Sequence, residues 1–116
     1  MSWKLEWHGE EIQDDIMQAA RLSLLENGSD LAQRSADQAP IDKGDLRGNV
    51  SVDNGYLESD NFVTVGYNLP YARRQHEELG YSHPQGGKAK FLEDPFNENS
   101  KSYIQHTADR INEVTK

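Results

Sequence analysis

Two hydrophobic periods divide the chain. In "SWKLEWH", Trp3, Leu5 and Trp7 fall on one side and Lys4, Glu6 and His8 on the other, the period-two signature of a half-buried strand. Gly9 then lets the chain turn. From Glu10 the spacing widens: Ile12, Ile16, Ala20 and Leu24 recur every fourth residue, and Met17, Leu24 and Leu31 every seventh. Glu10, Glu11, Asp14 and Asp15 crowd the first turns, where a helix dipole favours carboxylates. This predicts an amphipathic helix. Asn27-Gly28 falls inside it; a mid-helix glycine costs about 1 kcal/mol against alanine, which one long helix can absorb. The alternative is a break, with Ser29 or Asp30 capping a second helix. One helix ending near Gln38 is the expectation, because Pro40 disfavours helical geometry at Ala39.

"LRGNVSVDNGYLESDNFVTVGYN" reads as two strands, with Val50 and Val52 alternating in the first and Val63 and Val65 in the second. Asp53-Asn54-Gly55 is a turn signal, and residues 54–60 are expected to form a long loop. Asn68 ahead of Pro70 is a candidate cap for a short helical segment, "PYARRQHEEL", ended by Gly80. "YSHPQGGKAK" reads as loop. Asp94-Pro95 opens the last helix, Asp as N-cap and Pro at its first position. Its stripe is Phe96, Tyr103, Ile104, Ala108, Ile111 and Val114. The order predicts an α+β fold: a small antiparallel sheet packed against a long N-terminal helix and a C-terminal helix.

Composition narrows this further. The chain has 116 residues, the size of a single domain spanning residues 1–116. Only 34% are apolar, so the core is thin. Cysteine is absent, which removes disulfides and thiolate metal sites. No window approaches a membrane span, and the first residues lack the basic start and apolar run of a secretory signal. The net charge is −8. Residues 1–40 carry 3 basic and 8 acidic side chains, residues 41–91 carry 6 and 7, and residues 92–116 carry 3 and 5. An acidic chain gains nothing from counterion release, so tight nucleic-acid binding is not expected.

Candidate chemistry is sparse. His76, Glu77 and His83 are the closest metal-like set, but zinc needs a third or fourth ligand in tetrahedral geometry, and no HExxH is present. No serine has a nucleophile's setting, and neighbouring carboxylates such as Asp14/Asp15 and Glu77/Glu78 do not face one another. "HPQGGKAK" lacks phosphate-loop spacing. The reading is therefore no enzyme, no cofactor and no metal. Tyr71, Arg73, Arg74, His76, Glu77, Lys88, Lys90 and Phe91 are the candidate interface, since aromatics beside arginines are enriched where proteins meet. Two other readings stay open: an acidic inhibitor or DNA mimic that binds a basic partner, and a small metal-dependent hydrolase using His76, Glu77 and His83.

"QAPIDKGDLRGNV" resembles the proline–hydrophobic–Asp-Thr-Gly–Leu-Arg elbow of the tail-completion and minor capsid (head–tail joining) family of tailed bacteriophages, with Lys43 for the usual threonine and Asn49 for a common serine. "YARRQHEE", "GKAKFL" and the proline-led last helix are similar to later elements of that family, in the same order. Pro40, Gly44, Leu46 and Arg47 form this elbow. Pro40 would stop the helix, Gly44 and Gly48 would supply backbone angles closed to other residues, Leu46 would anchor in the core, and Arg47 would meet a carboxylate.

The resemblance implies a structural virion protein of a phage or prophage, forming a ring in the neck around the DNA channel. Its partners would be copies of itself and other neck or tail proteins, with DNA passing but not specifically bound and no membrane involved; in isolation it would be a monomer or a ring. It would reside in the virion, and in the host cytoplasm during assembly. Loops at residues 41–48, 54–60 and 80–90 would order against neighbours.

Overall fold

The computed structural model describes residues 1–6, 14–40, 45–69, 71–79 and 87–115. Its elements in order are β1 (Ser2–Glu6), α1 (Asp14–Gln38), α2 (Asp45–Asn49), β2 (Ser51–Asp53), α3 (Leu57–Asp60), β3 (Phe62–Gly66), α4 (Ala72–Glu77) and α5 (Glu93–Thr115). The three strands form one antiparallel sheet with β3 in the centre, Trp3 opposite Val65 and Leu5 opposite Val63. One face of the sheet lies under α1, and α5 packs along α1 rather than on the sheet. The fold is α+β, as the two hydrophobic periods predict.

Alternation decides which strand residues go inside. Leu5, Val63 and Val65 point into the core and are buried, while Lys4 lies over the Phe62 ring at 4.2 Å on the opposite face. On α1 the four- and seven-residue stripes converge on Ala20, Leu24 and Leu31, all buried. Trp7, His8, Gly9 and the first predicted turn of the helix lie outside the described residues.

Helix α1 runs unbroken through Asn27 and Gly28, and both residues have structural work. A β-carbon on Gly28 would sit 3.1 Å from Val63 Cγ2 and 3.2 Å from Val52 Cγ1, so the missing side chain is what lets the helix lie close on the sheet. Asn27, buried, donates to the Tyr103 carbonyl of α5 at 3.1 Å. One turn earlier Ser23 Oγ shares a hydrogen bond with Thr107 Oγ1 at 2.8 Å. Further along, the Tyr103 hydroxyl donates to Asp30 at 2.7 Å. Burial, and then this carboxylate, push the Tyr103 phenol above its ordinary range. Toward solvent, Arg110 and His106 both reach Glu26, and the Arg110 hydrogen bond is the main cause holding that carboxyl below its usual value. The α1–α5 contact is thus a polar seam flanked by apolar contacts.

Several expectations are corrected. Leu46, Arg47 and Gly48, expected in the elbow loop that leads into the first valine strand, and Asn49, expected in that strand, lie in the helical turn α2, and only Ser51–Asp53 pairs as β2. The expected loop at residues 54–60 contains α3, closed by Asn61 in the left-handed region (φ 59°). The Asp53-Asn54-Gly55 turn is as expected, with Gly55 N–H donating to Asp53 Oδ1 at 2.9 Å. Asn68 does not cap α4; its N–H donates to Asn49 Oδ1 at 2.7 Å, and Tyr71 precedes the helix. Helix α5 starts at Glu93, so Pro95 sits inside the first turn rather than opening it; that turn's N–H groups have no intrahelical partners, so a proline there costs no bond. Of the α5 stripe, Tyr103 is buried and Phe96 half-buried, whereas Ile104 (72% exposed) and Val114 (40%) stay exposed.

The Gly28 contact makes a direct prediction. Gly28→Val places branched methyl groups against a tightly packed sheet and should lower stability by about 1–3 kcal/mol, the usual cost of overpacking, as read from the midpoint of a urea denaturation curve at unchanged slope.

Candidate functional site

The C-terminal end of α1 gathers three distant stretches of chain. The helix ends at Gln38, Ala39 is fully buried and Pro40 follows. From α2, Leu46 inserts into the core and the Arg47 side chain returns to donate from Nε to the Ala39 carbonyl at 2.8 Å. Arg47 therefore caps a backbone carbonyl instead of meeting the expected carboxylate, which suits the electron-rich end of a helix. Gly48 lies in α2 without a positive φ, and a β-carbon there meets nothing within 4 Å. The expectation that it supplies a special backbone angle is corrected. Gly44, Asp42 and Lys43 lie outside the described residues.

A glycine read from the sequence only as part of a loop carries that constraint. Gly87 has φ +88°, and a β-carbon on it would lie 2.4 Å from the Ala39 oxygen and 2.5 Å from Pro40 Cα. The glycine lets the following segment lie directly against the helix end, where Lys88 N–H donates to the Gln38 carbonyl at 2.9 Å. The cue for it was the paired glycine of "QGGKAK", whose packing partner is nearly fifty positions away in sequence.

His76 sits at the centre. It is completely buried, with its ring 5.4 Å from Trp3 and 5.1 Å from Phe91, which in turn packs edge-on to Tyr67. Its Nε2 accepts the Glu93 N–H at 3.1 Å. That assigns the ring proton to Nδ1, which donates to Glu77 Oε1 at 2.7 Å. The histidine thus satisfies one of the orphan N–H groups at the start of α5 from another element. Glu77 is braced by Lys90, and Lys90 lies 3.5 Å from Glu93. The Lys90 hydrogen bond, then the His76 one, hold the Glu77 carboxyl below its usual range. Lys90 itself has φ 57°, a left-handed geometry that costs a side-chain-bearing residue about 1–2 kcal/mol; its N–H donates to the His76 carbonyl at 2.8 Å. Tyr67 completes the cluster with a 2.6 Å hydrogen bond to Ser35 Oγ of α1, and burial raises its phenol above the ordinary range.

The candidate interface residues therefore separate. His76 and Phe91 are core, so neither touches a partner directly. Glu77, Lys88 and Lys90 are committed to intramolecular ion pairs, Lys88 with Asp94. Tyr71 (41% exposed), just before α4, and Arg73 and Arg74 on it face solvent, and the two arginines make no ion pair among the described residues. Leu79, 75% exposed, was not anticipated and joins them. For a metal, His76 offers no free lone pair, since one ring nitrogen accepts Glu93 N–H and the other carries the proton. His83 lies outside the described residues, and no group of three potential ligands is found among those described. Among them too, no helix is long and apolar enough to cross a membrane.

Comparisons with family models, with curated proteins and with solved structures find no match for this chain.

Two outcomes test the His76 assignment. His76→Phe keeps the ring and its packing but strands the Glu93 N–H, so stability should fall by about 1–3 kcal/mol, the cost of a buried unsatisfied group. Glu77→Gln probes the acid limb. A carboxyl held below its usual value of 4.5 contributes stability above that pH and loses it as pH falls through the depressed value. The variant should therefore lose less stability than the parent on acidification below pH 4.5, by no more than about 1 kcal/mol for so exposed a pair. Chemical denaturation across an acidic pH series reads both effects.

Proposed function

We propose that this chain is a structural component of a tailed phage or prophage virion, a head–tail joining or tail-completion protein that acts by shape and makes or breaks no bond. The observation that carries the reading is the junction at the end of α1. Described parts of the three stretches that resemble the family meet there or beside it: Arg47 on the Ala39 carbonyl, Gly87 and Lys88 against Ala39 and Gln38, and His76 joined to them through the Lys90 N–H. Their distinctive side chains are spent on backbone groups and core: Arg47 on a carbonyl, His76 on a helix N–H, Leu46 and Phe91 in the interior. Such residues hold a shape, and a protein whose characteristic residues hold a shape works through its surfaces.

In this reading, copies of the chain join head-to-tail about a cyclic axis, a heterologous contact that closes into a ring, and meet other neck or tail proteins in the virion after assembly in the host cytoplasm. Arg73 and Arg74 on α4, with Tyr71 before it and Leu79 after it, supply one contact surface. The net charge of −8 lets DNA pass without adhering. No cofactor takes part. The occupied ring nitrogens of His76 weigh against the hydrolase reading, and the exposed arginines of α4 weigh against a uniformly acidic DNA mimic.

Co-expression with portal and tail-tube proteins encoded beside it, followed by mass photometry and negative-stain imaging, tests this. The expected result is a closed ring or a ring-bearing complex, with virions lacking the chain failing to infect. A chain that stays monomeric with every neck component, and whose loss leaves virions infectious, ends the proposal.

A further inference from the structure

The outer edge of β1 and the inner face of α5 bound an open apolar groove of about 500 Å³, with Leu24 and Asn27 of α1 also in its lining. Phe96, Ile104 and Ile111 of α5 line one side, and Leu5 with its neighbours in β1 the other. Helix α5 packs on α1 and not on the sheet, so this half of its apolar stripe has no layer beneath it, and Ile104 is left 72% exposed.

The opposite wall is a strand edge. Among the described residues β1 pairs only with β3. Tyr67 N–H donates to the Met1 carbonyl, one position beyond the Ser2–Gly66 pair. Hydrogen-bonded pairs alternate in an antiparallel ladder, so Trp3 and Leu5 bond inward to β3 while the N–H and C=O of Ser2 and Lys4 point out from the sheet. Among the described residues those outward groups have no backbone partner.

We infer that this groove receives one extended strand from another protein chain, added to the free edge of β1 with its alternate apolar side chains under α5. Main-chain hydrogen bonds to Ser2 and Lys4 set its register, and about two or three apolar residues at every second position fill the space. Three observations choose this occupant. The twelve residues lining the groove fall short of the roughly 20–30 a side in a standard subunit interface, so a segment fits where a whole subunit face does not. The charged lining is one lysine and one glutamate, Lys4 and Glu6, which cancel and favour a neutral segment. The unmet groups are backbone N–H and C=O of one strand edge, Ser2 and Lys4 among the described residues, which another extended backbone satisfies in register. The inference stands apart from the phage reading.

A randomised linear peptide library screened against the whole chain tests it, followed by hydrogen exchange with the enriched peptides. Two variants serve as controls. Lys4→Pro removes an outward edge N–H while leaving the β3 ladder intact, and Ile104→Asp changes an exposed side chain; both should melt close to the parent. The expected result is enrichment of sequences with alternating apolar residues, protection of the Ser2 and Lys4 amides on binding, and binding weakened by about tenfold or more in either variant, as loss of a backbone hydrogen bond or an apolar contact implies. Failure to enrich any peptide overturns the inference. So do enriched peptides without alternation, binding that leaves Lys4→Pro unaffected, and Ile104-dependent self-association or small-molecule binding that leaves the edge amides unprotected.

Discussion

The Nε2 of a fully buried histidine accepting one backbone N–H organises the core. His76 lies in α4 and Glu93 begins α5, and the segment between them returns through Lys90, whose own N–H bonds the His76 carbonyl. These two bonds fix where the last helix starts. Once it starts there, Tyr103 and Thr107 come level with Asn27 and Ser23 of α1. A neutral imidazole suits the position because it can donate on one side and accept on the other; an amide of similar reach cannot fill the aromatic slot between Trp3 and Phe91.

That arrangement explains how a chain with few apolar residues keeps a defined shape. The core is thin, and its specificity comes from polar groups placed inside it: Ser35 with Tyr67, Asn27 with the Tyr103 carbonyl, His76 with Glu93. Each bond contributes only about 1 kcal/mol net, but leaving a buried partner unmet costs about 1–3 kcal/mol. Incorrect registers are penalised more than the correct one is rewarded.

The two long helices and the paired valines were legible because periodicity is a local property of sequence. The Leu46–Asn49 stretch was read as an elbow running into a strand and its helical turn was missed, because its only apolar side chain is compatible with either period; Arg47 reaches back to Ala39 there, and that contact spans two elements. His76 looked like a surface or metal residue among charged neighbours, since nothing local announces that Trp3 and Phe91 will close over it. One helix through Asn27 and Gly28 was the expectation, but why those two residues stand there was not legible, because propensity counts only the helix, whereas the helix here needed a close approach on one side and a donor on the other. For the candidate surface, the exposed arginines of α4 could be named from sequence, but the open edge of β1 beneath an overhanging helix depends on strand order.

The seam between α1 and α5 has a consequence for motion. Past Tyr103 the contact is made largely by hydroxyls, an amide and ion pairs, groups that water can solvate when the helices part. Lifting the end of α5 thus exposes little grease, and its energetic penalty falls well below that of melting the sheet. The turns beyond Tyr103 are therefore the part of α5 expected to open first, ahead of the strands and the start of that helix.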